Sequence, residues 1–393
     1  MRKMNLLFVQ DYCLFVTNGI GFQLSRCLAQ RGHNVHFMGC TPTEPPATLA
    51  GFERIHLHTP RISPANMSKF SGALKVASHN LLKGERLLRC EKIDVVVFYQ
   101  ILSGLPLEFL CELRGIPTIS YFLSPWHREY ELETPGSSLR HYLNVEERRL
   151  AQRLLLKRCD RIFCASRFMR DEVQKLVQRK PDIIPHGVDI ETFRPAPDKK
   201  VLRRKLNLPE NSPVVLTVRR LVRRMGLKNF LRAARQIRNV FPDTFFVIGG
   251  SGPLQNELVE FARHLGLADK TRFEGFIPPD LLPDYYAAAD VFVLPTAALE
   301  GFGIVILEAM ASGTPVVATP VAAIPELLNQ VAPELLSEAR SAEAISEKIE
   351  MLLSDEMDGK EIGRRCRQFV EKKYAWDKIA PRVEERLREV AGI

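Results

Sequence analysis

The chain has 393 residues, of which 46% are hydrophobic and 26% are charged, and its formal net charge is +9 at pH 7. These proportions are those of an ordinary globular protein of two or three domains, and they exclude intrinsic disorder and fibrous repeats. The charge is uneven, because residues 1–195 carry 27 Lys and Arg against 19 Asp and Glu, a net +8, whereas the remainder carries 28 against 27, a net +1.

The apolar run near the start, Asn5–Val9, stops at Gln10 and Asp11, so we do not expect a signal peptide, and no apolar run is long enough to span a bilayer. The eight cysteines include no Cys-x-x-Cys pair, which predicts reduced core residues in a cytoplasmic protein. Basic residues are not interleaved with exposed aromatic residues as they are in nucleic-acid-binding modules. The basic first half therefore favours an anionic membrane surface or a phosphorylated acceptor as a partner, and no nucleic acid.

The first elements predict a β-loop-α-β unit. Asn5–Val9 forms a buried strand, a loop leads to Gly21, and a helix over FQLSRCLAQR precedes a second strand, NVHFMG. The loop contains Gly19 and Gly21 but lacks the third glycine of a dinucleotide-binding turn, and no acidic residue ends the second strand. We therefore do not predict NAD binding.

Residues 54–92 are strongly basic, with eight Lys and Arg against Glu85 and Glu91. Apolar residues recur at three- and four-residue steps, at Met67, Phe70, Leu74, Ala77 and Leu81. This pattern predicts a helix with one apolar face, from which Lys69, Lys75 and Lys83 turn away. Two interpretations stay open: a helix packed on the sheet with a solvated basic face, or a patch that binds an anionic membrane surface.

Further strands are predicted at residues 93–99, 117–123 and 160–166, and a loop after the second of them contains His127. This histidine is either a ligand-facing residue or an ordinary surface-loop histidine. The stretch IIPHGVDIETFRP, residues 183–195, combines a turn at Gly187 with a helix cap at Asp189. We place the end of a first domain there, at about residue 190.

The second domain begins with a strand at residues 213–218 that runs into RRLVRRMGLKN. Five cations within ten residues open the following helix, at Arg219, Arg220, Arg223, Arg224 and Lys228. A helix N-terminus disfavours cations, so they predict an anionic ligand rather than a solvated basic cap. The next strand ends in a glycine-rich turn, GGSGP, in which Gly250 serves either the turn itself or a close backbone approach to a ligand.

Residues 295–320, PTAALEGFGIVILEAMASGTPVVATP, predict the end of a strand, a loop and an amphipathic helix from about Ile304 to Ala311. In the loop, Gly301 and Gly303 bracket Phe302. Free backbone N–H groups at the positive end of the helix dipole favour an anion such as a diphosphate.

Two carboxylates flank that helix start, Glu300 before it and Glu308 within an apolar run. A lone Glu308 is compatible with a solvated helix face, but a carboxylate in such a run most simply accepts hydrogen bonds from hydroxyl groups. Amides for a diphosphate beside carboxylates for hydroxyls predict a site for a sugar nucleotide.

The segment resembles the E-x7-E signature of the retaining GT-B glycosyltransferases of family 4, written as a proline and a small residue followed by EGFG and EAMA. The GVD connector, the arginine loop after residue 218, the GSGP turn and the tail Phe369–Trp376 resemble the family in the same order. The resemblance implies an α/β fold with two doubly wound Rossmann-like domains that face each other across a cleft. They are residues 1–190 and 191–375, with a C-terminal helix, residues 376–393, that returns to the first.

The resemblance also implies roles for individual residues. Glu300 would bind sugar hydroxyls and Glu308 the ribose diol. The diphosphate would lie against the backbone at Gly301, Phe302, Gly303 and Ile304. Gly250, Phe276 and Ile277 would approach the nucleotide, and Gly19 and Gly21 the diphosphate or the acceptor.

Several positions depart from the family pattern. The loop pattern G-R-L-x-x-x-K-G has its arginine at Arg220, but Met225 replaces the lysine that binds donor phosphate. Arg219, Arg223, Arg224 and Lys228 are candidate substitutes, and we favour Arg224 because a guanidinium binds phosphate in a bidentate fork. Leu123 replaces a histidine near the sugar, a role for which His127 is the candidate, and Ala322-Ala323 replace a glycine pair.

The implied reaction is transfer of a glycosyl group, with retention, from a nucleotide-diphosphate sugar to a hydroxyl of a glycan, lipid or small-molecule acceptor. The sequence has no Asp-x-Asp, so we expect arginines and a helix dipole to meet the phosphate charge, with no metal and no cofactor. Two alternatives stay open: a GT-B nucleotide-sugar epimerase, or a weakly active or non-catalytic nucleotide-sugar-binding partner. A phosphorylase would need a pyridoxal-binding lysine, for which the sequence has no signature. We expect a cytoplasmic protein that is peripheral at the inner face of the membrane.

Overall fold

The computed structural model describes residues 2–12, 19–40, 54–58, 70–99, 103–354 and 356–393. The chain divides into two compact units, one formed by Met1–Gly187 with Trp376–Ile393 and the other by Val188–Ala375. Met67 and Lys69 of the predicted basic helix lie outside the described residues.

The first unit is built on a parallel sheet, which has seven strands in its described part, in the order β3-β2-β1-β4-β5-β6-β7. Its strands are β1 (Asn5–Tyr12), β2 (Asn34–Cys40), β3 (Ile55–His58), β4 (Val95–Tyr99), β5 (Thr118–Phe122), β6 (Arg161–Cys164) and β7 (Asp182–Ile183). Its helices are α1 (Ile20–Gln30), α2 (Phe70–Cys90), α3 (Leu105–Leu113), α4 (Trp126–Glu133), α5 (Leu139–Arg158) and α6 (Arg167–Val177). All five residues of β4 and of β5 are buried, as expected for central strands covered on both faces.

The second unit has a five-stranded parallel sheet in the order β10-β9-β8-β11-β12. Its strands are β8 (Val214–Val218), β9 (Phe245–Gly249), β10 (Thr271–Gly275), β11 (Val291–Leu294) and β12 (Val316–Ala318). Its helices are α7 (Lys199–Lys205), α8 (Leu227–Val240), α9 (Gln255–His264), α10 (Leu282–Ala288), α11 (Ile304–Ala311), α12 (Ile324–Leu328), α13 (Ala342–Leu353) and α14 (Gly359–Lys373). Short 3₁₀ turns span Arg223–Met225 and Pro333–Leu335.

The last helix, α15 (Trp376–Ala391), belongs to the first unit. Its buried residues Ile379, Val383 and Leu387 join the same core cluster as Met4 and Leu28. The final stretch of the chain therefore completes the core that its first residues begin.

The prediction of two parallel Rossmann-like α/β units is confirmed. Two local expectations are wrong. Helix α11 has the predicted bounds, but it is not amphipathic, because the six residues from Ile306 to Ala311 are all buried. The predicted loop around His127 is the start of helix α4.

Candidate active site

The order of strands in the second unit brings two loops together. The chain runs outward from β8 through β9 to β10, and then returns to place β11 on the other side of β8. The carboxyl ends of β8 and β11 thus form the topological switch point, where open parallel sheets bind ligands. The arginine loop follows β8 and the glutamate loop follows β11, so residues about 80 positions apart in sequence meet at one edge.

A glycine allows the turn after β9 to pass close to the arginine loop. Gly250 has a φ of +118°, and a Cβ atom there would lie 1.8 Å from the backbone oxygen of Arg219. The Leu221 N–H donates to the oxygen of Ser251 at 3.0 Å, which ties the two loops together. Gly250 is therefore required by the packing of backbone on backbone, whatever else it contacts.

Arg219 and Glu300 form an ion pair at the switch point. Arg219 Nη2 lies 2.7 Å from Glu300 Oε2, and both side chains are largely buried. The guanidinium also contacts the sulfur of Met225, with Nε at 3.2 Å and Nη2 at 2.7 Å. Met225 thus lies under the arginine, and Glu300 has a fixed cationic partner.

Arg224 supports the glutamate loop rather than facing outward. It is buried, and its Nη1 donates to the backbone oxygen of Leu299 at 2.7 Å. The Arg224 backbone oxygen accepts from the N–H groups of Ala297 at 2.9 Å and Ala298 at 3.1 Å. Leu299 itself has a φ of +56°, an uncommon value for a branched residue, directly before Glu300.

The loop after Glu300 leads into the N-terminus of α11. Gly303, with a φ of +87°, is the N-cap residue, and no side chain caps the helix start. Phe302 is buried and lies 5.9 Å from the ring of Tyr374. The loop is therefore anchored by an aromatic residue, and the α11 N-terminus has the backbone geometry expected of an anion-binding site.

Glu308 is buried within α11 and accepts a hydrogen bond from the Tyr286 hydroxyl at 2.9 Å. Burial raises the pKa of Glu308 to about 7, and the hydrogen bond from Tyr286 opposes that rise. Burial also raises the pKa of Tyr286 well above its usual range, so the phenol remains a donor. A carboxylate held between charged and neutral forms near pH 7 suits a hydroxyl-binding role.

The other predicted residues of the second unit take different positions. Lys228 forms an ion pair with Glu257, and Arg220 is an exposed residue of the arginine loop. Ile277 is buried and packs over Gly249, where an added Cβ would lie 2.4 Å from its Cδ1 atom, whereas Phe276 is exposed.

The predicted residues of the first unit lie near the carboxyl edge of its sheet or beside it. Gly19 is the N-cap of α1, and Gly21 is buried in its first turn, where a Cβ would lie 2.9 Å from Gln10 Oε1. His127 is buried, and its Nδ1 lies 3.3 Å from Gln152 Oε1. Burial lowers the pKa of His127, and the nearby charges of Arg149 and Arg128 lower it further, so the imidazole is neutral at pH 7.

Two interactions were not predicted from the sequence. The Arg219–Glu300 pair joins two loops, and its only signal was an arginine where the family pattern has glycine. The Tyr286–Glu308 hydrogen bond joins α10 to α11, and its signal was the Tyr285-Tyr286 pair before β11. Across the part of the chain that the structure describes, no group of three or more His, Cys, Asp or Glu is placed to hold a metal ion. Of the helices described above, none is long and apolar enough to cross a membrane.

Two family models match the chain. The model described as "Glycosyl transferases group 1" matches residues 198–376, and the model described as "Glycosyltransferase Family 4" matches residues 22–192. The first covers the arginine and glutamate loops, and the second covers most of the first unit.

Similar proteins include a GDP-mannose-dependent alpha-(1-6)-phosphatidylinositol monomannoside mannosyltransferase of Mycobacterium tuberculosis, 34% identical over 214 residues. That alignment covers 53% of this chain and 55% of the mycobacterial protein, so the matched stretch spans about half of that relative. An uncharacterized glycosyltransferase of Methanocaldococcus jannaschii is 30% identical over 343 residues, which cover 84% of this chain and 85% of the relative.

Among solved structures, sucrose-phosphate synthase from Thermosynechococcus elongatus is similar, with a TM-score of 0.79, 22% sequence identity and 99% of each chain covered. At this identity the likeness shows a shared fold.

Proposed function

The chain belongs to the family 4 glycosyltransferases, and on that premise we propose that it transfers a sugar from a nucleotide-diphosphate donor to an acceptor hydroxyl. The observation that carries the proposal is the placement of Glu300 and Glu308 on either side of the α11 start, which no side chain caps, at the switch point. The named relatives are glycosyltransferases, which favours transfer over a nucleotide-sugar epimerase or a non-catalytic binding protein.

The donor would lie against the second unit. In this proposal Glu308 accepts hydrogen bonds from the ribose diol, and Glu300 binds hydroxyls of the sugar. The backbone N–H groups from Gly301 to Ile304 and the exposed Arg220 meet the diphosphate, with Gly250 and Ile277 beside the nucleotide. Arg224, through Leu299, holds the loop that carries Glu300.

Catalysis would come from charge stabilisation. The sugar becomes positively charged in the transition state while negative charge grows on the leaving diphosphate, so fixed cations and helix amides lower the barrier, by about 3 kcal/mol for each well-placed donor. We propose that this charge is met without a metal ion and that the sugar keeps its anomeric configuration. No side-chain nucleophile stands out in the sequence, which fits attack on the same face assisted by the leaving group.

The acceptor we propose is a lipid-linked or cell-envelope glycan. The mycobacterial relative acts, by its name, on a phosphatidylinositol mannoside, and the basic first half of this chain suits an anionic surface. The enzyme would then act in the cytoplasm, peripheral at the inner face of the membrane. The contributions of Gly19, Gly21 and His127 to the acceptor side stay predictions.

The test is incubation with a panel of UDP-, GDP- and ADP-sugars, with and without lipid-linked acceptors, measuring nucleoside diphosphate release and the product anomer. We expect acceptor-dependent release with one donor class and a product of unchanged configuration. Chelation of divalent metal should leave the rate unchanged. A converted donor sugar without transfer would support an epimerase instead.

The donor site is tested separately by calorimetry. Glu308→Ala should abolish binding of the active nucleotide sugar while the circular dichroism spectrum is retained. The matched control is Glu338→Ala, at an exposed glutamate of the same unit, which should bind as the wild type does. Unchanged affinity in Glu308→Ala would contradict the ribose role.

A further inference from the structure

Helix α5 turns a row of leucines towards solvent. Leu139, Leu143, Leu150 and Leu154 have 73%, 57%, 58% and 44% of their surface exposed. Their spacings of four, seven and four residues place them on one stripe of the helix. The opposite face carries the buried residues Val145, Gln152, Leu155 and Leu156. The leucine stripe is thus the outward face of a helix that is already packed on the first unit.

A cationic pocket of about 670 Å³ borders this stripe. It is lined by five cations from α4, α5 and α6, namely Arg128, Arg149, Arg153, Lys157 and Lys175. The single acid in its wall, Glu172, is already bound by Arg128 at 2.5 Å and by Lys175 at 2.8 Å. The pocket therefore has a clear excess of positive charge.

Two of those cations lack a carboxylate partner. Arg149 pairs with Glu146 at 2.8 Å, but Arg153 and Lys157 form no ion pair with any residue that the structure describes. Helix C-termini favour cations, which accounts for Lys157 in the last turn of α5. It does not account for Arg153, which lies before that turn. An anionic ligand would supply the missing charge.

The pocket reaches from the start of α4, where His127 and Arg128 line it just after β5, to a part that lies away from the sheet edge where the sugar chemistry would occur. Helices α5 and α6 lead into β6 and β7, so their C-terminal ends lie where those strands begin. Lys157, Val177 and Gln178, at those ends, line the pocket. Open parallel sheets bind their substrates at the opposite, carboxyl edge.

We propose that α5 is a membrane-docking surface, whose leucine stripe enters the headgroup region of an anionic bilayer while the cationic pocket receives a lipid phosphate. Apolar residues beside basic ones are the combination that binds such surfaces. A second copy of the chain is a poorer occupant, because a symmetric contact would bring the same cations together. The proposal rests on the membrane location given above, but vesicle binding is measured without any sugar transfer, so either can fail alone.

The basic helix α2, for which the sequence left a membrane-binding role open, provides the matched control. In its described part α2 exposes one large apolar residue, Leu82, against the four leucines of α5. Three variants are compared with the full-length wild type: Leu150→Gln with Leu154→Gln, Arg153→Gln with Lys157→Gln, and Lys75→Gln with Leu82→Gln and Arg86→Gln. All the substituted residues are exposed, so the fold should be retained, and the partly buried Lys83 is left unchanged.

Co-sedimentation is measured with phosphatidylcholine vesicles and with vesicles in which about one third of the lipid is phosphatidylglycerol. We expect the wild type and the α2 variant to bind the anionic vesicles, less strongly as salt is added, and both α5 variants to lose about tenfold in binding. Equal loss in the α2 variant, or unchanged binding in the α5 variants, would overturn the proposal. The proposal would also be overturned if the wild type did not bind vesicles but formed a dimer that dissociates in the Leu150→Gln, Leu154→Gln variant.

A second observation, independent of α5, concerns Arg219 and Met225. Relative to the family pattern, the glycine position carries an arginine and the lysine position carries a methionine. The Arg219 guanidinium rests on the Met225 sulfur at 2.7 Å and reaches Glu300 at 2.7 Å. Met225 is buried. The positive charge of the Arg219 side chain therefore lies directly against residue 225.

We infer that the cation has been relocated within the loop, and that Arg219 is a positioning residue that orients the Glu300 carboxylate through their ion pair. This inference rests on the proposed function. A single exchange then explains both departures from the family pattern, because the cation comes from position 219 instead of position 225. With an arginine at position 219, there is no room for a second buried cation at position 225.

The test is a swap. Arg219→Gly should lower kcat by about tenfold or more, and Met225→Lys alone should lower the melting temperature because two cations then share one site. Arg219→Gly combined with Met225→Lys should recover most of the lost kcat. A double variant no more active than Arg219→Gly would overturn the inference, whereas an inactive wild type would count against the proposed function instead.

Discussion

Glu308 is a buried carboxyl group whose pKa is raised by burial, and its ionisation makes the free energy of unfolding depend on pH. The pKa is about 7 in the folded protein against an ordinary value of 4.5. Below pH 4.5 both states are protonated. Between pH 4.5 and about 7 the unfolded chain releases the proton while the folded chain keeps it, so the free energy of unfolding falls as the pH rises through this window.

We therefore expect Glu308→Gln to remove this dependence. The free energy of unfolding of the wild type should fall relative to the variant by about 2 kcal/mol between pH 5 and pH 8. Urea unfolding followed by circular dichroism measures the difference, with Glu338→Gln as the exposed control. A difference that does not change with pH would show that Glu308 is ionised throughout.

Neighbouring alanines in the loop after β12 provide a second prediction. Ala322 has a φ of +53°, which strains an L-residue, whereas Ala323 has a φ of −81° and is buried. Ala322→Gly should raise the free energy of unfolding by about 0.5 to 1 kcal/mol, because relief of strain exceeds the entropy cost of glycine. Ala323→Gly should lower it by about 1 kcal/mol. Thermal and urea unfolding of the two variants measure these changes. A change in the free energy of unfolding with the same sign in both variants would contradict the prediction.

At the candidate site, some residues could be predicted from the sequence and others could not. The spacing of Glu300 and Glu308 was visible in the sequence, because both lie in one continuous loop-helix segment. The choice among Arg219, Arg223 and Arg224 was not, since it depends on which side chain reaches across to a loop 81 residues away. We favoured Arg224 for phosphate binding, and the structure places its guanidinium on the Leu299 backbone oxygen.

At the scale of elements, α15 is joined to α1 by a cluster around Glu384. Arg31 donates to this carboxylate at 2.5 Å and Arg388 at 2.9 Å, and His33 Nε2 lies 3.1 Å away. Burial alone would raise the pKa of Glu384, but the hydrogen bonds from Arg31 and Arg388 outweigh it and lower the pKa to about 2. The cluster thus stabilises the contact above pH 4.5 and loses that contribution as the pH falls towards 2.

Glu384→Gln should therefore lower the free energy of unfolding by about 2 kcal/mol at pH 7, less than a fully buried pair because Arg31 is partly exposed. The difference in the free energy of unfolding between the wild type and this variant should decrease as the pH is lowered from 5 to 3. Glu385→Gln, at the exposed neighbouring residue, should change stability by no more than about 0.5 kcal/mol. Unfolding followed by the fluorescence of Trp126 and Trp376, both in the first unit, measures the effect. A gap that persists unchanged at pH 3 would argue against an ionised Glu384.

Two elements explain why patterns mislead at this scale. The run IVILEAMA was interpreted as amphipathic because of Glu308, yet α11 is covered on all sides, and its glutamate is buried with Tyr286 as partner. The residues of α5 alternate between leucine and arginine without a dominant apolar face, because one stripe is packed and the opposite stripe is exposed. Periodicity indicates which residues share a face, but not what covers that face.

At the scale of the whole molecule, the alternation of strands and helices was the part of the fold best suited to prediction. Short apolar runs alternating with helices specify parallel β-α units, and the two sheets follow that pattern. The meeting of the arginine and glutamate loops follows from the strand order 10-9-8-11-12, which a single sequence does not give. Only the resemblance to family 4 assigned residues of both loops to the same donor in advance.

The assignment of α15 to the first unit also has a consequence for synthesis. During translation Val188–Ala375 is made in one piece, and its sheet is complete while the first unit still lacks Ile379, Val383 and Leu387. Domains fold as units as they leave the ribosome, at about 5 to 20 residues per second. We therefore expect the second unit to fold first, because the core of the first unit is incomplete until α15 has been translated.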